Sequence, residues 1–209
     1  MLKYIMNWLA HIFLSEYNIE FQVANYLADP LKGKVWDNAS IHIKNGMAIH
    51  KRIDSFTDSH ELFKKSKNRL GDKGLLKSVV IDLTYDYLLT KNWNRYSSIE
   101  LESFLKQFYN NSYELLPKLP SHASTPLKRM IDFELLNKYQ TLEQLNEGLL
   151  RIDKRLSAKL ASRDKTSLYF ERVCENIEEI EKDFLEFFPL LCSIVKNETD
   201  SNQLIHWKN

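Results

Sequence analysis

The sequence predicts an all-α, single-domain helical bundle, and three observations lead there. Only five Gly and five Pro punctuate 209 residues, too few for a turn-rich β protein. Apolar residues recur at helical spacing through most of the chain. Ten Tyr and eleven Phe in a chain 44% hydrophobic supply a core and argue against disorder.

The elements follow in order. Residues 4–15 are apolar on nearly every side and predict a central core helix. The opening run is short and interrupted by Asn7 and His11, so it reads as a buried helix and not as a signal peptide. A second helix is expected over 18–29, capped by Asn18 and stopped by Pro30. A long helix is expected from Asp37 to Asp58. A charged helix or turn follows to Arg69, and Gly71 and Gly74 mark a break. Residues 75–92 form a strong helical pattern, and 98–115 another, closed before Pro117. Ser121–Thr125 reads as a loop ahead of a helix from about 126 to 138. Thr141 caps the next helix, with Gln144 at the capping-box position, to about 156. The last long helix is expected over 166–187, and the polar tail after Asn197 is expected to fray. Tyr109, Tyr113, Tyr169, Phe170, Phe184, Phe187 and Phe188 fall at helical spacing and are expected to pack the core.

A formal net charge of +1 names no partner. Its distribution says more: eleven Lys/Arg face five acids between Leu31 and Val80, whereas nine acids face three bases from Glu171 to Asp200. The basic segment suits an acidic partner or a phosphate, or is simply a solvated helix surface. Cys174 and Cys192 lie too far apart in one helical pattern for a disulfide, and so few cysteines suit a reducing cytoplasm. No run is long enough to span a membrane. Neither a nucleic acid nor a membrane is expected as a partner.

The informative polar residues sit where a core should be. On 75–92, Lys77, Thr84 and Lys91 define the wet side, and Asp82 and Asp86 lie opposite, with Leu75, Val79, Leu89 and Trp93. Buried, ionised and unpaired carboxylates cost several kcal/mol each. On the 37–58 helix, His50 and Asp54 sit beside Ile43, Gly46 and Met47, away from Lys44, Lys51 and Ser55. Gly46 costs roughly 1 kcal/mol relative to Ala inside a helix, which suits a close approach there. Asp58 lies nearer the wet edge. Asn7/His11 and Asn25/Asp29 repeat the spacing, so four helices each carry a polar pair at i, i+4, a spacing that shares one face. Two His and several Asp without Cys suit Mn²⁺, Mg²⁺ or Fe²⁺. Lys51, Arg52 and Arg69 suit phosphate oxygens. Ordinary structural hydrogen bonds and ion pairs account for each pair taken singly. No Walker-type Gly loop and no GxSxG elbow are present.

Met6-Asn7-Trp8-Leu9-Ala10-His11, Ala24-Asn25-Tyr26-Leu27-Ala28-Asp29 and Lys32-Gly33 resemble the opening of the acyl carrier protein phosphodiesterases. Gly46, His50-Lys51-Arg52-Ile53-Asp54 and Thr57-Asp58 resemble that family's central motif. Ile81-Asp82-Leu83-Thr84-Tyr85-Asp86-Tyr87-Leu88-Leu89 with Trp93 resembles its third. The motifs lie within 6–93; the helical second half, 98–195, agrees in length and aromatic content. The pattern departs at Phe13 and Tyr87, where the family often carries His, which leaves the ligand count open there. Residues Met1–Ile5 read as an extension ahead of the family's usual start.

The resemblance implies an HD-domain-like helical enzyme of the cytoplasm that removes 4′-phosphopantetheine from holo-acyl carrier protein and needs a divalent metal, typically Mn²⁺, with Mg²⁺ or Fe²⁺ as alternatives. His50, Asp29, Asp54 and Asp82 would hold the ion, with His11 or Asp86 completing the set, and Asp58 would orient water or a ligating His. Lys51 and Arg52 would hold phosphodiester oxygens, with Asn25, Lys32 and Arg69 as further substrate contacts. The acidic carrier protein would give the basic segment its purpose. Two rivals remain open: an HD-like phosphohydrolase acting on another phosphoester such as a nucleotide, and a non-catalytic helical protein that binds an acidic partner.

Overall fold

The computed structural model describes residues 8–208, so Asn7 and Met1–Ile5 lie outside the described residues. The helices are α1 (Trp8–Phe13), α2 (Ile19–Leu27), α3 (Ile41–Ser59), α4 (Glu61–Arg69), α5 (Lys77–Lys91), α6 (Trp93–Tyr96), α7 (Leu101–Leu115), α8 (Ser121–Asp132), α9 (Leu142–Asp153), α10 (Ala158–Ala161), α11 (Phe170–Glu175) and α12 (Ile177–Glu198). No strand occurs among the described residues; one isolated β-bridge pairs Ser97 with Trp207. The fold is all-α, as expected. Among the described residues no helix is long and apolar enough to cross a membrane.

These residues gather into two compact units. One comprises Ser55–Lys91 and Lys138–Leu191; the other comprises Trp8–Asp54, Asn92–Asn137 and residues 192–208. The chain passes from one to the other within α3 and within α12.

In the first unit α5 is enclosed. Thr84, expected on its wet side, is buried and bonds back to the Val80 carbonyl at 2.7 Å, the usual refuge of a helix threonine. Leu75, expected at the core, is exposed. The amides of Leu75 and Leu76 donate to Asp164 at 2.6 and 3.0 Å, so a distant carboxylate caps α5. Around Tyr85, rings of Phe63, Phe184 and Phe187 pack at 5.2–5.7 Å. Beside them the buried Asp183 accepts from Ser66, Arg69 and Lys65. The expected 166–187 helix is broken at Asn176, and α12 runs through Pro189 to Glu198. Of the aromatics expected in the core, Phe184, Phe187 and Phe188 are buried and Tyr113 is exposed.

The second unit carries the start of the chain. Asn18 caps α2 as expected, accepting from the Phe21 amide at 3.2 Å. Helix α3 starts later than expected. Asn38 takes a left-handed φ of 58°, which no helix interior accommodates, and Ser40 Oγ accepts the Ile43 amide instead. Helix α8 begins at Ser121, in the segment expected as a loop, with Pro126 inside it; it stops at Asp132, ahead of Glu134 at φ 45°. The tail expected to fray is folded. His206 is buried and Leu204 nearly so, and Phe13 packs on Trp93, Phe104, His206 and Trp207.

Gly46 sets the spacing of α2 and α3. A Cβ there would run into the Phe21 carbonyl oxygen and lie 2.8 Å from Ala24 Cβ. Gly46→Ala therefore lowers stability by about 1–3 kcal/mol through overpacking, although Ala is the better helix former by about 1 kcal/mol; urea unfolding measures the sign. Burial lowers the His206 pKa to about 4, against a smaller opposing effect of its bond to Phe13. The unfolded imidazole takes up a proton near pH 6.5, which the folded one resists. Stability is thus present above about 6.5 and is lost as pH falls toward 4. His206→Gln flattens that part of the stability–pH curve, read from thermal unfolding between pH 4 and 7.

Candidate metal centre

The second unit brings His11 of α1, Asn25 of α2, Asp29 just past α2, and His50 and Asp54 of α3 into one cluster. The Asn25 carboxamide is its hinge. Its Nδ2 donates to the His11 carbonyl at 2.8 Å and to Ser15 Oγ at 2.9 Å. Ser15 Oγ in turn donates to the same carbonyl at 2.8 Å. A carbonyl only accepts, so the amide nitrogen must face it and Oδ1 must point the other way. There Oδ1 lies 2.8 Å from His11 Nδ1 and 3.1 Å from His50 Nδ1. An amide oxygen also only accepts, so each imidazole presents Nδ1–H to it. A ring that gives up its other proton therefore offers its lone pair at Nε2, the arrangement in which a second residue orients a metal-binding histidine; without a metal, His50 Nε2 keeps a proton shared with Asp29.

Both Nε2 atoms meet carboxylates. His11 Nε2 is 3.2 Å from Asp54 Oδ1, and His50 Nε2 is 3.2 Å from Asp54 Oδ2 and from Asp29 Oδ1. The rings stack with centroids 4.1 Å apart and planes at 23°. Asn25, His11 and His50 are buried, Asp29 is nearly so, and the Asp54 side chain is 51% exposed. Asp54 is therefore the rim of the cluster and its contact with solvent.

Charge inside the cluster is matched. Burial works against a proton on His50, but its bonds to Asp29 and Asp54 and their negative charge outweigh burial and raise its pKa to about 10. For Asp54 burial acts upward, and the two imidazoles of His11 and His50 beside it overcome burial and hold the carboxyl far below the usual range. Two groups stay unsatisfied. His11 Nε2, despite its proximity to Asp54, makes no bond of hydrogen-bond geometry, and Asp29 Oδ2 is buried without a partner. Orphaned buried polar atoms are costly.

A divalent cation fits this donor set. Ligand atoms of His11, His50 and Asp54 lie within 4.8 Å of one another. Imidazole nitrogen and carboxylate oxygen without thiolate suit a borderline or hard ion. The pull of Asp29 and Asp54 that favours a proton on His50 favours a metal in its place, and a cation would give His11 Nε2 an electrophile to face.

The remaining residues expected from the sequence fall in both units. Lys32 and Lys51 are exposed in the same unit, and Lys51 lies over the turn that follows Asp29: a Cβ at Gly33, whose φ is +64°, would meet Lys51 Cε at 2.8 Å. Arg52 is paired with Glu198. Asp58, Asp82, Asp86 and Arg69 belong to the first unit; Asp58 is exposed, Asp82 half-buried and Asp86 buried, while Arg69 grips Asp183 at 2.8 Å. Phe13 points its ring into the aromatic group formed with His206 and Trp207. Ser15, which completes the anchoring of Asn25, was missed by sequence reasoning, although it follows His11 at the same four-residue spacing.

The sequence model of the acyl carrier protein phosphodiesterase family matches residues 6–191. Among curated proteins, the acyl carrier protein phosphodiesterase of Yersinia enterocolitica is 27% identical over 203 residues, covering 90% of this chain and 96% of the relative. Those of Klebsiella pneumoniae and Pectobacterium atrosepticum are 22% and 24% identical over 201 residues, covering 92% of this chain and 99% of each relative. No solved structure matches the chain with significance.

The electrostatics give a direct check. In metal-free protein the expected NMR titration midpoint of the His50 ring is about pH 10, and Asp54→Asn is expected to move it down. An unfolded imidazole loses its proton near 6.5, so the stabilisation is full below that pH and is lost as pH rises through about 10.

Proposed function

The chain belongs to the acyl carrier protein phosphodiesterase family, and on that premise we propose that it hydrolyses the phosphodiester joining 4′-phosphopantetheine to holo-acyl carrier protein, releasing the apo-protein. The observation that carries this reading is the Asn25 carboxamide turning both imidazoles so that His11 Nε2 and His50 Nε2 meet Asp54. Two imidazoles and carboxylates on helices also support the HD-type kinship expected from the sequence.

His11, His50 and Asp54 would hold a divalent ion, with Asp29 beside His50; Mn²⁺ is our assignment among Mn²⁺, Mg²⁺ and Fe²⁺. Such an ion supplies Lewis acidity toward a phosphoryl oxygen and a water nucleophile at neutral pH. The chain's own residues do the rest. Asn25 fixes the tautomer and direction of both rings, so neither must reorganise as charge develops. Asp29 holds His50 from a nearly buried position, which leaves Asp54, at the rim, as the carboxylate next to solvent and substrate. Lys51, on the exposed side of α3 one residue after His50, is placed to neutralise a phosphodiester oxygen, with Lys32 on the neighbouring turn. Arg52 can contribute only by leaving Glu198. An acidic carrier protein suits these exposed lysines, and we place the reaction in the cytoplasm.

Mass spectrometry of holo-acyl carrier protein, incubated with the protein in Mn²⁺ or in EDTA, tests the assignment. The expected result is conversion to the mass of the apo-protein with Mn²⁺ alone, and none with His50→Ala or Asp54→Ala. Intact holo-protein under every divalent ion would overturn it, and parallel incubations with nucleotide phosphoesters would show whether the same centre serves another substrate.

A further inference from the structure

Helix α1 ends at Phe13. Its last carbonyls need partners from elsewhere. The His11 carbonyl receives Asn25 and Ser15. The Phe13 carbonyl receives two donors from the far end of the chain: His206 Nε2–H at 2.7 Å and Trp207 Nε1–H at 2.9 Å. Trp207 also stacks on the Phe13 ring, with centroids 5.6 Å apart and planes at 9°.

The contacts continue along the turn after α1. Tyr17 N donates to the Gln203 carbonyl at 2.7 Å, and Asp200 N donates to Glu16 Oε1 at 3.1 Å. The His206 ring stacks on Tyr17 at 5.0 Å and on Phe104 at 5.6 Å. The tail is itself fixed: Ser98 N donates to the His206 carbonyl at 2.9 Å and Lys208 N to the Tyr96 carbonyl at 2.7 Å. This segment lies beyond the residues 6–191 that the family model matches.

We propose that residues 200–208 form a positioning strap that caps α1 through the Phe13 carbonyl and so holds the His11 imidazole against Asn25. His206 and Trp207 are positioning residues: they act on His11 through two residues of helix and touch no reacting atom. The strap's meaning for catalysis rests on the function proposed above; its hold on His11 does not.

The test uses the full-length, metal-free protein and long-range ¹H–¹⁵N NMR of the histidine rings. Wild type shows His11 fixed with its proton on Nδ1. In His206→Leu/Trp207→Phe, His11 averages between tautomers and the α1 amides exchange about tenfold faster, while amides of Ser55–Lys91 keep their protection. His206→Gln, whose side-chain amide restores a donor, returns the wild-type signature. Trp207→Phe alone, which keeps the stacking ring, gives the same reading if the double variant does not fold. A wild-type His11 signature in folded His206→Leu/Trp207→Phe, or in Trp207→Phe where the double variant does not fold, overturns the strap. Mn²⁺ affinity is measured alongside: about tenfold weakening in the double variant, in the range of losses from outer-shell partners, links the strap to the metal centre. A wild-type protein that binds no Mn²⁺ would overturn the metal reading, while the tautomer result still decides the strap.

Discussion

One side-chain amide sets the direction of everything around it. The Asn25 nitrogen is committed to the His11 carbonyl and Ser15, and this alone fixes where its oxygen points. From that follow the tautomers of both imidazoles, their stacking, and the meeting of both Nε2 atoms with Asp54. An aspartate there would reverse the logic, since it would accept where Asn25 must donate. The buried polar network is fully ordered on the Nδ1 side and left incomplete on the Nε2 side, at His11 and at Asp29 Oδ2. Such asymmetry in a dry setting is what a cation-holding cluster needs: a rigid back and an electron-rich front.

The backbone serves this amide. Gly46 lets α3 close on the carbonyl of Phe21, one turn of α3 before His50 and one turn of α2 before Asn25. Asp29 follows Asn25 by four residues although α2 has ended at Leu27. Ala28 keeps right-handed helical dihedrals, so the spacing still delivers the carboxylate to His50.

Local chemistry was legible in the sequence and distant chemistry was not. Asn18 and Thr141 cap their helices as their residue types demand. The four-residue spacing of polar residues on apolar faces found His11, Asn25, Asp29, His50 and Asp54, because burying such groups is costly enough to leave a visible pattern. The start of α5 is different: Asp164 caps it from 88 residues away at the Leu76 amide, and no local rule points there. The start of α8 was misplaced because Ser121–Thr125 reads as a loop, whereas the helix begins at Ser121 and carries Pro126 in its interior. The tail looked frayed because its composition is polar. Its order comes from one buried histidine and one tryptophan that find a carbonyl 193 and 194 residues upstream.

That span has a consequence for the timing of assembly. Contacts between residues this far apart in sequence form late, since a long loop must close first. A growing polypeptide that has already made α1, α2 and α3 holds all five side chains of the cluster, yet the two bonds that His206 and Trp207 give to the Phe13 carbonyl form only once those residues have been synthesised. The anchoring of the helix that carries His11 therefore gains these two bonds long after the cluster's own side chains have been made.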